Sequence, residues 1–378
     1  NTGFHERTSK LTRNFVDARG FWLPNDYTKH GVNNEHTACR EKAVIIDLSS
    51  LRKFEILGPD AEELMNYTLT RNVKKLSVGQ VVYSSMCYEN GTMFDDGTLL
   101  KLSDHGFRWV CGDEYAGQWL KEQAAKKNYK VLIKNSTDQI SNISLQGPNS
   151  RKILEKFIFT SPTQPSISEL QWFRFSICRI EDLNGIPLIV SRTGYTGELG
   201  YEIWCSPSDA PKVWDKVFEA GKDDGLIPAG FGALDLLRIE AGLILYGNEF
   251  DGQVDPFEAG VGFTVPLKTK TDDFIGKESL KKRKENPQKK LVGLELISKE
   301  NANHGDCVHI GRAQVGIITS GCISPVLNKN IALCRIDVDH SKIGTEVEVG
   351  KIDGEQKRIT AKIVEFPHFD PKKSRVRS

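Results

Sequence analysis

The sequence predicts a mixed fold of helices and strands, of the α/β or α+β class, followed by a small all-β module. Strand and helix signals alternate along the first two thirds of the chain. The composition then shifts between Lys268 and Lys290, a stretch dense in lysine, aspartate and glutamate. From Leu291 onwards, short strands alternate with turns, a pattern typical of a small β-barrel or sandwich.

Length and charge limit the classes of function. The chain has 378 residues, enough for two or three domains with a sizeable core. A formal net charge of +1 gives no overall field that favours nucleic acid or an anionic membrane. No apolar run approaches the length of a membrane span. We therefore expect neither nucleic acid nor a membrane among the partners.

The eight cysteines show neither a CxxC pair nor a His–Cys cluster with zinc spacing. Most lie within apolar runs, so we expect reduced, buried thiols and no metal site. Reduced thiols are typical of a cytoplasmic protein, or of one in the mitochondrial matrix if the source is eukaryotic.

The elements of the first half follow from periodicity and turn chemistry. The pattern predicts a helix over Pro59–Leu69, with proline in its first turn. An Asn-Gly turn at Asn90 predicts a hairpin, and apolar spacing indicates an amphipathic helix over Asp113–Lys126. The strands predicted here are Val44–Asp47, Phe54–Leu57, Val81–Met86 and Met93–Leu102.

Two further helices are predicted in the second half. The helix over Ser208–Ala220 has Ser208 or Asp209 as its cap. The longest helical pattern covers Gly230–Tyr246, where Asp235 and Arg238 are spaced to pair. Two interpretations of Arg238 and Glu240 remain open, namely surface charges or a buried ion pair that fixes the helix against a site.

The charged stretch predicts a linker with a helix at Lys277–Glu285. Its basic cluster Lys281–Lys284 is better explained as a solvated helix face than as a nucleic-acid patch. The strands predicted after the linker are Leu291–Glu295, Gln314–Thr319, Ala332–Val338, Glu346–Val349 and Ile359–Val364.

The segment Ser191–Ile203 is the most informative motif. Glycine recurs at every third position, at 194, 197 and 200, between two predicted strands. Glu198 and Glu202 follow, and a carboxylate at a strand edge can accept two parallel hydrogen bonds from a flat donor pair. The simpler interpretation is a glycine-rich hairpin whose acids are solvated.

A second candidate site is the acid pair Asp95–Asp96 inside an otherwise apolar strand. Strand alternation sends these side chains to opposite faces, so only one of them faces a given cavity. A third candidate is the turn around Tyr246, at the end of the long helical pattern. The signatures of zinc proteases, serine hydrolases, P-loop proteins and dinucleotide-binding folds are missing.

Taken in order, these segments resemble the glycine-cleavage T-protein family of tetrahydrofolate-dependent aminomethyltransferases. The likeness extends over nearly the whole chain. The matching segments are Phe15–Pro24, Asp47–Leu51, Gly58–Ala61, Tyr83–Ser84, Asn90–Asp96, Leu145–Pro148, Arg192–Glu202, Leu237–Leu243, Tyr246–Asn248, Phe274–Lys277 and Thr319–Pro325.

The resemblance implies an α+β fold of three domains, arranged as a cloverleaf around a central folate cavity. It implies a catalytic region over 1–267 with an inserted subdomain at about 53–135, a charged linker over 268–290 and a C-terminal barrel domain over 291–378. It further implies that Asp96 is the catalytic acid and that Glu202 holds the pterin edge. The other implied folate contacts are Tyr83, Leu51, Tyr195 and Tyr246.

The resemblance also implies a reaction. A one-carbon unit passes from an aminomethyl donor to tetrahydrofolate through an iminium-like cation, which the carboxylate of Asp96 stabilises. The donor is then a small molecule or is held on a carrier, as in the lipoyl protein of glycine cleavage. The alternatives are demethylation of a small methylated amine or sulfonium compound, and a non-catalytic folate-binding assembly role.

The sequence departs from the T-protein pattern at several positions. Leu234 and Asp370 stand where T-proteins have arginines, the second of which contacts folate, and Ser50–Leu51 replaces the usual His-Met. These variants look more like the folate domains of sarcosine and dimethylglycine dehydrogenases and of stand-alone demethylases. Candidate replacements for the lost contacts to the glutamate tail are Arg375, Arg377 and Lys373.

Overall fold

A computed structural model of the chain describes residues 1–378. It has a two-stranded hairpin, a seven-stranded sheet, a five-stranded sheet and a closed six-stranded barrel. This architecture confirms the mixed class and, of the two forms predicted for the C-terminal module, selects the barrel. The hairpin pairs Phe15–Ala18 with Phe21–Pro24.

The seven-stranded sheet is antiparallel except for its last pair, Ala43–Asp47 with Leu226–Pro228. One face packs on the largest apolar core, which includes Leu145, Ile203 and Trp214. In spatial order the strands are Ile158–Thr160, Phe175–Ile180, Pro187–Ser191, Gly200–Cys205, Ser141–Gln146, Ala43–Asp47 and Leu226–Pro228.

The five-stranded sheet is antiparallel throughout and contains the hairpin predicted around Asn90. A second core lies beneath it, formed with residues of the helices Ala61–Thr68 and Tyr115–Lys127. In spatial order the strands are Val81–Cys87, Met93–Ser103, Gly106–Cys111, Arg52–Leu57 and Leu132–Asn135.

The barrel closes around a third core of aliphatic side chains. It includes a short strand, Cys307–Ile310, that the sequence pattern did not predict. In spatial order the strands are Lys289–Leu296, Lys329–Asp337, Ala313–Ser324, Cys307–Ile310, Glu346–Gly350 and Arg358–Val364.

The α-helices are short, and none is long and apolar enough to cross a membrane. They are His5–Thr8, Val32–Glu41, Ala61–Thr68, Tyr115–Lys127, Ser150–Glu155, Ala210–Gly221, Phe231–Glu240 and Lys277–Glu285. Single 3₁₀ turns occur at Val73–Lys75, Thr137–Gln139, Lys222–Asp224, Gly262–Thr264 and Val338–His340. All eight cysteines are free, and seven of them are buried.

The prediction of one helix over Gly230–Tyr246 is wrong. The helix covers Phe231–Glu240, and Gly242 follows with a φ of 66°, a left-handed conformation that ends a helix. In the helix Ala210–Gly221, Asp209 occupies the N-cap, one of the two positions predicted, but its side chain makes no capping hydrogen bond. Apolar spacing continued past the end of the helix because the following loop is also packed, with Ile244 only 6 % exposed.

Arg238 and Glu240, for which the sequence allowed either surface charges or a buried ion pair, are both buried, but they do not pair with each other. Arg238 is 1 % exposed and pairs with Glu249 at 2.8 Å, while Glu240 is fully buried and pairs with Arg40 at 2.6 Å. Glu249 and Arg238 also contact Ser320 of the barrel. These pairs fix the helix between the seven-stranded sheet and the barrel.

The two large sheets meet across a small apolar cluster. Leu100 and Val110 belong to the five-stranded sheet, and Trp204 belongs to the seven-stranded sheet. Leu51, in the connection that joins the two sheets, packs against the same cluster. This apolar junction holds the two sheets together.

Candidate active site

Asp96 lies on the strand Met93–Ser103 and is half-buried. Its Oδ2 accepts a hydrogen bond from the Tyr83 hydroxyl at 2.7 Å, and the chain offers its Oδ1 no donor. Burial raises the pKa of Asp96 to about 6, against the lowering effects of the Tyr83 bond and the Arg19 charge. At neutral pH the group is therefore mainly a carboxylate.

Asp95 points the other way, as strand alternation predicts. It is 1 % exposed and accepts bonds from three backbone amides, those of Asp96, Gly112 and Asp113, at 2.9, 3.3 and 3.1 Å. Burial, followed by the charge of Asp96, raises the pKa of Asp95 to about 7. Asp95 therefore holds the local backbone, and Asp96 is the member of the pair with a free carboxylate oxygen.

Glu202 lies on the strand Gly200–Cys205 and is 9 % exposed. Its Oε2 accepts a hydrogen bond from the Thr193 hydroxyl, while no side chain or backbone amide donates to its Oε1. Burial raises the pKa of Glu202, and the nearby Lys53 charge opposes that shift. One carboxylate oxygen is thus left for an external donor.

Leu51 and Tyr195 are both half-buried. Leu51 packs against the apolar cluster at the junction of the sheets. The Tyr195 hydroxyl donates to the carbonyl of Ile244 at 2.5 Å, which anchors the glycine-rich segment to the loop after the helix Phe231–Glu240. The charge of Asp96 contributes to the raised pKa of Tyr195, after burial, so the two side chains lie near each other.

Tyr246 lies at the protein surface, with 46 % of the residue exposed. Its ring packs edge-on to Phe250 at 5.4 Å between centroids. Burial and then the charge of Asp113 raise its pKa, with Asp95 a smaller contributor. Tyr246 therefore lies near the acid pair but at the protein surface.

The segment Ser191–Ile203 is a hairpin, but its acids are not solvated. Glu198 is 4 % exposed and lies 3.0 Å from Arg40 and 2.8 Å from Arg375. The hydroxyl of Thr196 donates to Gln146 at 2.8 Å, and a Cβ at Gly194 or Gly200 would overlap the Gln146 side chain. Glycine is required here because Gln146 packs directly on the backbone.

Lys53 is a site neighbour that the sequence analysis missed. Its side chain is fully buried, and Nζ donates to the carbonyls of Ser49 and Leu51, at 2.8 Å each. Burial lowers the pKa of Lys53 to about 7. A lysine directly before the predicted strand Phe54–Leu57 was the available signal, but lysine at a strand end is usually exposed.

The acceptor and the walls of the site fit a flat heterocycle with adjacent N–H groups. Glu202 offers a desolvated carboxylate oxygen, which matches such an edge. Tyr83, Leu51 and Tyr195 supply aromatic and aliphatic surface, and all three keep part of their surface exposed. The pterin end of a folate has this chemistry.

Comparison with known protein families establishes to which family this chain belongs. A sequence model of the family described as the GCVT N-terminal domain matches residues 4–269. A second family model, for the glycine cleavage T-protein C-terminal barrel domain, matches residues 289–370. This chain belongs to the glycine-cleavage T-protein family. It is therefore an enzyme of the one-carbon-transferring type, as the relatives named aminomethyltransferase are.

Two relatives show the range of the T-protein family. An aminomethyltransferase of Symbiobacterium thermophilum is 39 % identical over 97 % of this chain and 96 % of its own length. A trimethylamine-oxide aldolase of Ruegeria pomeroyi is 57 % identical over 100 % of this chain. The chain spans about half of that relative, 48 % of its length.

A solved structure supports the T-protein fold. The aminomethyltransferase T of the glycine cleavage system of Bartonella henselae has a TM-score of 0.86 to this chain, with 25 % identity. The match covers 98 % of both chains. The α+β cloverleaf with a C-terminal barrel is thus the fold of this protein.

The departures from the T-protein pattern have a structural explanation. Leu234 is 5 % exposed and packs in an apolar cluster with Val44 and Leu237. Asp370 accepts bonds from the Arg375 backbone and the Ser374 hydroxyl, so it orders the C-terminal arm. Arg375 itself is held by Glu198, and is not free to replace a lost folate contact.

Proposed function

We propose that this chain transfers a one-carbon unit from a methyl or aminomethyl donor to tetrahydrofolate, with Asp96 as the catalytic carboxylate. One observation carries the proposal: in a chain of the T-protein family, the half-buried carboxylate of Asp96 is bonded only to Tyr83, at 2.7 Å. Its free oxygen is available to the reacting groups.

Asp96 has the charge that the reaction requires. Positive charge develops on the carbon that is transferred, and a preorganised carboxylate in a partly dry site stabilises such charge strongly. Tetrahydrofolate, when bound, supplies the nitrogen that accepts the carbon. Because the pKa of Asp96 is about 6, the group can also take up a proton from the reacting nitrogen near neutral pH.

Glu202 is proposed to bind the pterin edge through its free Oε1. The Thr193 hydroxyl fixes the orientation of the carboxylate before any ligand arrives. Tyr83, Leu51 and Tyr195 then contact the ring and exclude water, while Tyr246 lies at the rim. Burial of the apolar ring and its pairing with Glu202 together would supply the affinity.

A small methylated amine is the donor that the comparisons favour. The relative with 57 % identity is named for trimethylamine oxide, and this chain matches part of it from end to end. An amine N-oxide already holds the oxidation level needed to release a methylene-level carbon, with a secondary amine and water as by-products. No further oxidant is then required.

Aminomethyl transfer from a lipoyl carrier is the second candidate. It is favoured by the 39 % identity to an aminomethyltransferase over nearly its full length. The carbon would pass from the carrier sulfur and its amine to tetrahydrofolate, which releases ammonia and the free thiol.

An assay with defined donors separates the two candidates. The purified chain is incubated with tetrahydrofolate and either trimethylamine N-oxide or an aminomethyl-loaded lipoyl carrier, and the folate products are separated by chromatography. Methylene- or methyl-tetrahydrofolate from the free amine compound supports demethylation, whereas product only with the carrier supports glycine cleavage. If tetrahydrofolate neither binds nor reacts with any donor, the proposal is wrong.

A further inference from the structure

Arg19 occupies a position where an arginine is conformationally unfavourable. Ala18 pairs with Phe21, so Arg19 and Gly20 form the two-residue turn of the N-terminal hairpin. Their φ angles are 55° and 81°, both in the left-handed region. Such turns favour Asn-Gly or Asp-Gly, because a longer side chain gains nothing there and strains the backbone. The geometry of the turn therefore does not explain why an arginine stands at position 19.

The side chain is held in place and only partly used. Nε donates to the carbonyl of Gly112 at 2.9 Å, and Arg52 fixes the turn by donating to the carbonyl of Arg19 at 2.9 Å. Neither terminal nitrogen, Nη1 or Nη2, donates to an acceptor in the chain. The guanidinium of Arg19 is thus half-buried, and its two terminal nitrogens, called the free fork below, have no acceptor.

The free fork lies beside the acid pair. A Cβ built on Gly112 would be 3.4 Å from Nη2 of Arg19 and 3.5 Å from Oδ1 of Asp95, so both groups flank one point. No salt bridge joins them, because Asp95 is bonded to three backbone amides instead. Arg19 is also close enough to Asp96 for its charge to lower the pKa of that group.

We propose that Arg19 binds a carboxylate of the incoming ligand next to Asp96, through its free pair of terminal nitrogens. A guanidinium fork matches a carboxylate in two parallel hydrogen bonds, and Arg19 is already oriented by Gly112. The inference rests on the proposed function for the identity of the ligand. Two sources of the carboxylate fit, namely the glutamate tail of folate and the acid group of a donor that is the N-oxide of an N-methylated amino acid.

Other cations do not compete for this role. Arg375 is paired with Glu198, and Arg377 stacks over the ring of Trp172 at 5.2 Å. Lys53 uses its amine on two backbone carbonyls. Arg19 is the guanidinium near Asp96 whose terminal nitrogens are uncommitted.

The test compares Arg19→Gln and Arg19→Asn with the unchanged chain. Asparagine suits the turn, so Arg19→Asn should keep or raise the Tm and separates loss of binding from loss of folding. Arg312→Gln, in the exposed turn between two barrel strands, is the control for the loss of one positive charge. Dissociation constants are measured by calorimetry for tetrahydrofolate and for 6-methyltetrahydropterin, which has no tail.

If the tail is the ligand, both Arg19 variants bind tetrahydrofolate about 10- to 100-fold more weakly and bind the tail-less pterin unchanged. If the donor is the ligand, folate affinity is constant and the KM for the N-oxide of N,N-dimethylglycine rises, while that for trimethylamine N-oxide does not. Equal effects on ligands with and without a carboxylate, or no effect on any of them, would overturn the proposal.

A second arm keeps the test independent of the proposed function. Binding of p-aminobenzoylglutamate and of N,N-dimethylglycine is measured in the absence of any pterin. Binding of either that weakens in both Arg19 variants but not in Arg312→Gln supports the anion site even if tetrahydrofolate itself does not bind. If neither compound shows a dependence on Arg19 and the folate experiments are also negative, the inference is wrong.

Discussion

Tyr83 and Asp96 project from neighbouring strands of one hairpin, and the phenol donates to the carboxylate across the ladder at 2.7 Å. The strand register places Thr98 opposite Tyr83 and Ser85 opposite Asp96, so the bonded pair is diagonal. Burial raises the pKa of Asp96, and the Tyr83 bond counters that rise by stabilising the charged form. The hairpin thus carries both the proposed catalytic group and the residue that adjusts its charge.

Replacement of Asp96 by asparagine should remove turnover and keep folate binding. The amide retains the shape of the side chain but cannot stabilise positive charge on the transferred carbon. Loss of one preorganised group of this kind typically costs about 2.7–4 kcal/mol of barrier, or about 100- to 1000-fold in rate. The measurement is kcat together with the dissociation constant for tetrahydrofolate.

Asp104→Asn is the control, because Asp104 is exposed in the turn after the same strand. It should leave both quantities unchanged. Activity of Asp96→Asn within a few-fold of the unchanged chain would exclude the proposed role.

Tyr83→Phe should shift the acidic limb of the pH–rate profile to higher pH. The Tyr83 bond lowers the pKa of Asp96, so its removal lets burial raise that pKa above its present value of about 6. The reactive form is the carboxylate, and a higher pKa leaves less of it at neutral pH. The profile of kcat/KM between pH 5 and 8 reports the change.

Tyr67→Phe is the control for the loss of a tyrosine hydroxyl, because the Tyr67 hydroxyl makes no hydrogen bond to Asp96. The idea fails if Tyr83→Phe lowers the rate equally at all pH values, because the bond would then not act through the charge of Asp96.

Glu202→Gln should weaken folate binding without unfolding the protein. An amide can accept one hydrogen bond from the pterin edge, but its NH₂ group then faces another donor. Since hydrogen bonds to charged groups contribute about 1.5–3 kcal/mol, affinity should fall roughly 10- to 150-fold. The Tm without ligand should stay the same or rise, because a buried carboxylate with a raised pKa is removed.

Fluorescence titration with tetrahydrofolate and a thermal melt of the same preparation supply both readouts. Unchanged affinity would show that Glu202 does not hold the pterin.

Glu240→Gln should destabilise the fold strongly. Glu240 is fully buried and accepts bonds from His36, Arg40 and Ser324, at 2.8, 2.6 and 2.6 Å, so it joins three parts of the chain. Removing one partner of a buried ion pair typically costs about 3–5 kcal/mol, and here Arg40 would keep Glu198 as its only carboxylate partner. Urea unfolding measures the change in the free energy of unfolding.

Glu219→Gln is the matched control, since that side chain is 67 % exposed beside Lys216. It should change stability by less than about 0.5 kcal/mol. An equally small effect of Glu240→Gln would contradict the importance of the buried network.

Gly97→Ala should disturb the site from the adjacent position. A Cβ at Gly97 would lie 2.2 Å from the Val110 carbonyl and 2.9 Å from the Trp109 ring, so the strand must shift. Overpacking of this kind costs about 1–3 kcal/mol, and the shift carries Asp96 with it. We expect a lower Tm and a reduced kcat together; an unchanged kcat would show that the strand does not position Asp96.

Much of the fold could be predicted because local signals were strong. The helix Lys277–Glu285 and the hairpin around Asn90 follow from charge spacing and turn chemistry that act over a few residues. The strand alternation at Asp95 and Asp96 also predicted that the two carboxylates face opposite ways, as they do. The resemblance then supplied the family, which the family models confirm.

Other features depended on contacts that sequence spacing does not contain. The burial of Glu198 arises from Arg40 and Arg375, which lie 158 and 177 positions away along the chain. The helix Phe231–Glu240 ends early because of a turn that apolar spacing conceals. The free nitrogens of Arg19 became evident only when its turn and the Gly112 loop were in place.

The sequence by itself determined the local elements, the barrel-like module and the family, because periodicity, turn residues and motif order are short-range properties. The tertiary structure alone decided which charges are buried, which carboxylate oxygens remain free, and which arginine keeps an open fork. Those properties depend on partners from distant segments, since desolvation and pairing are set by what packs around a group and not by its neighbours along the chain.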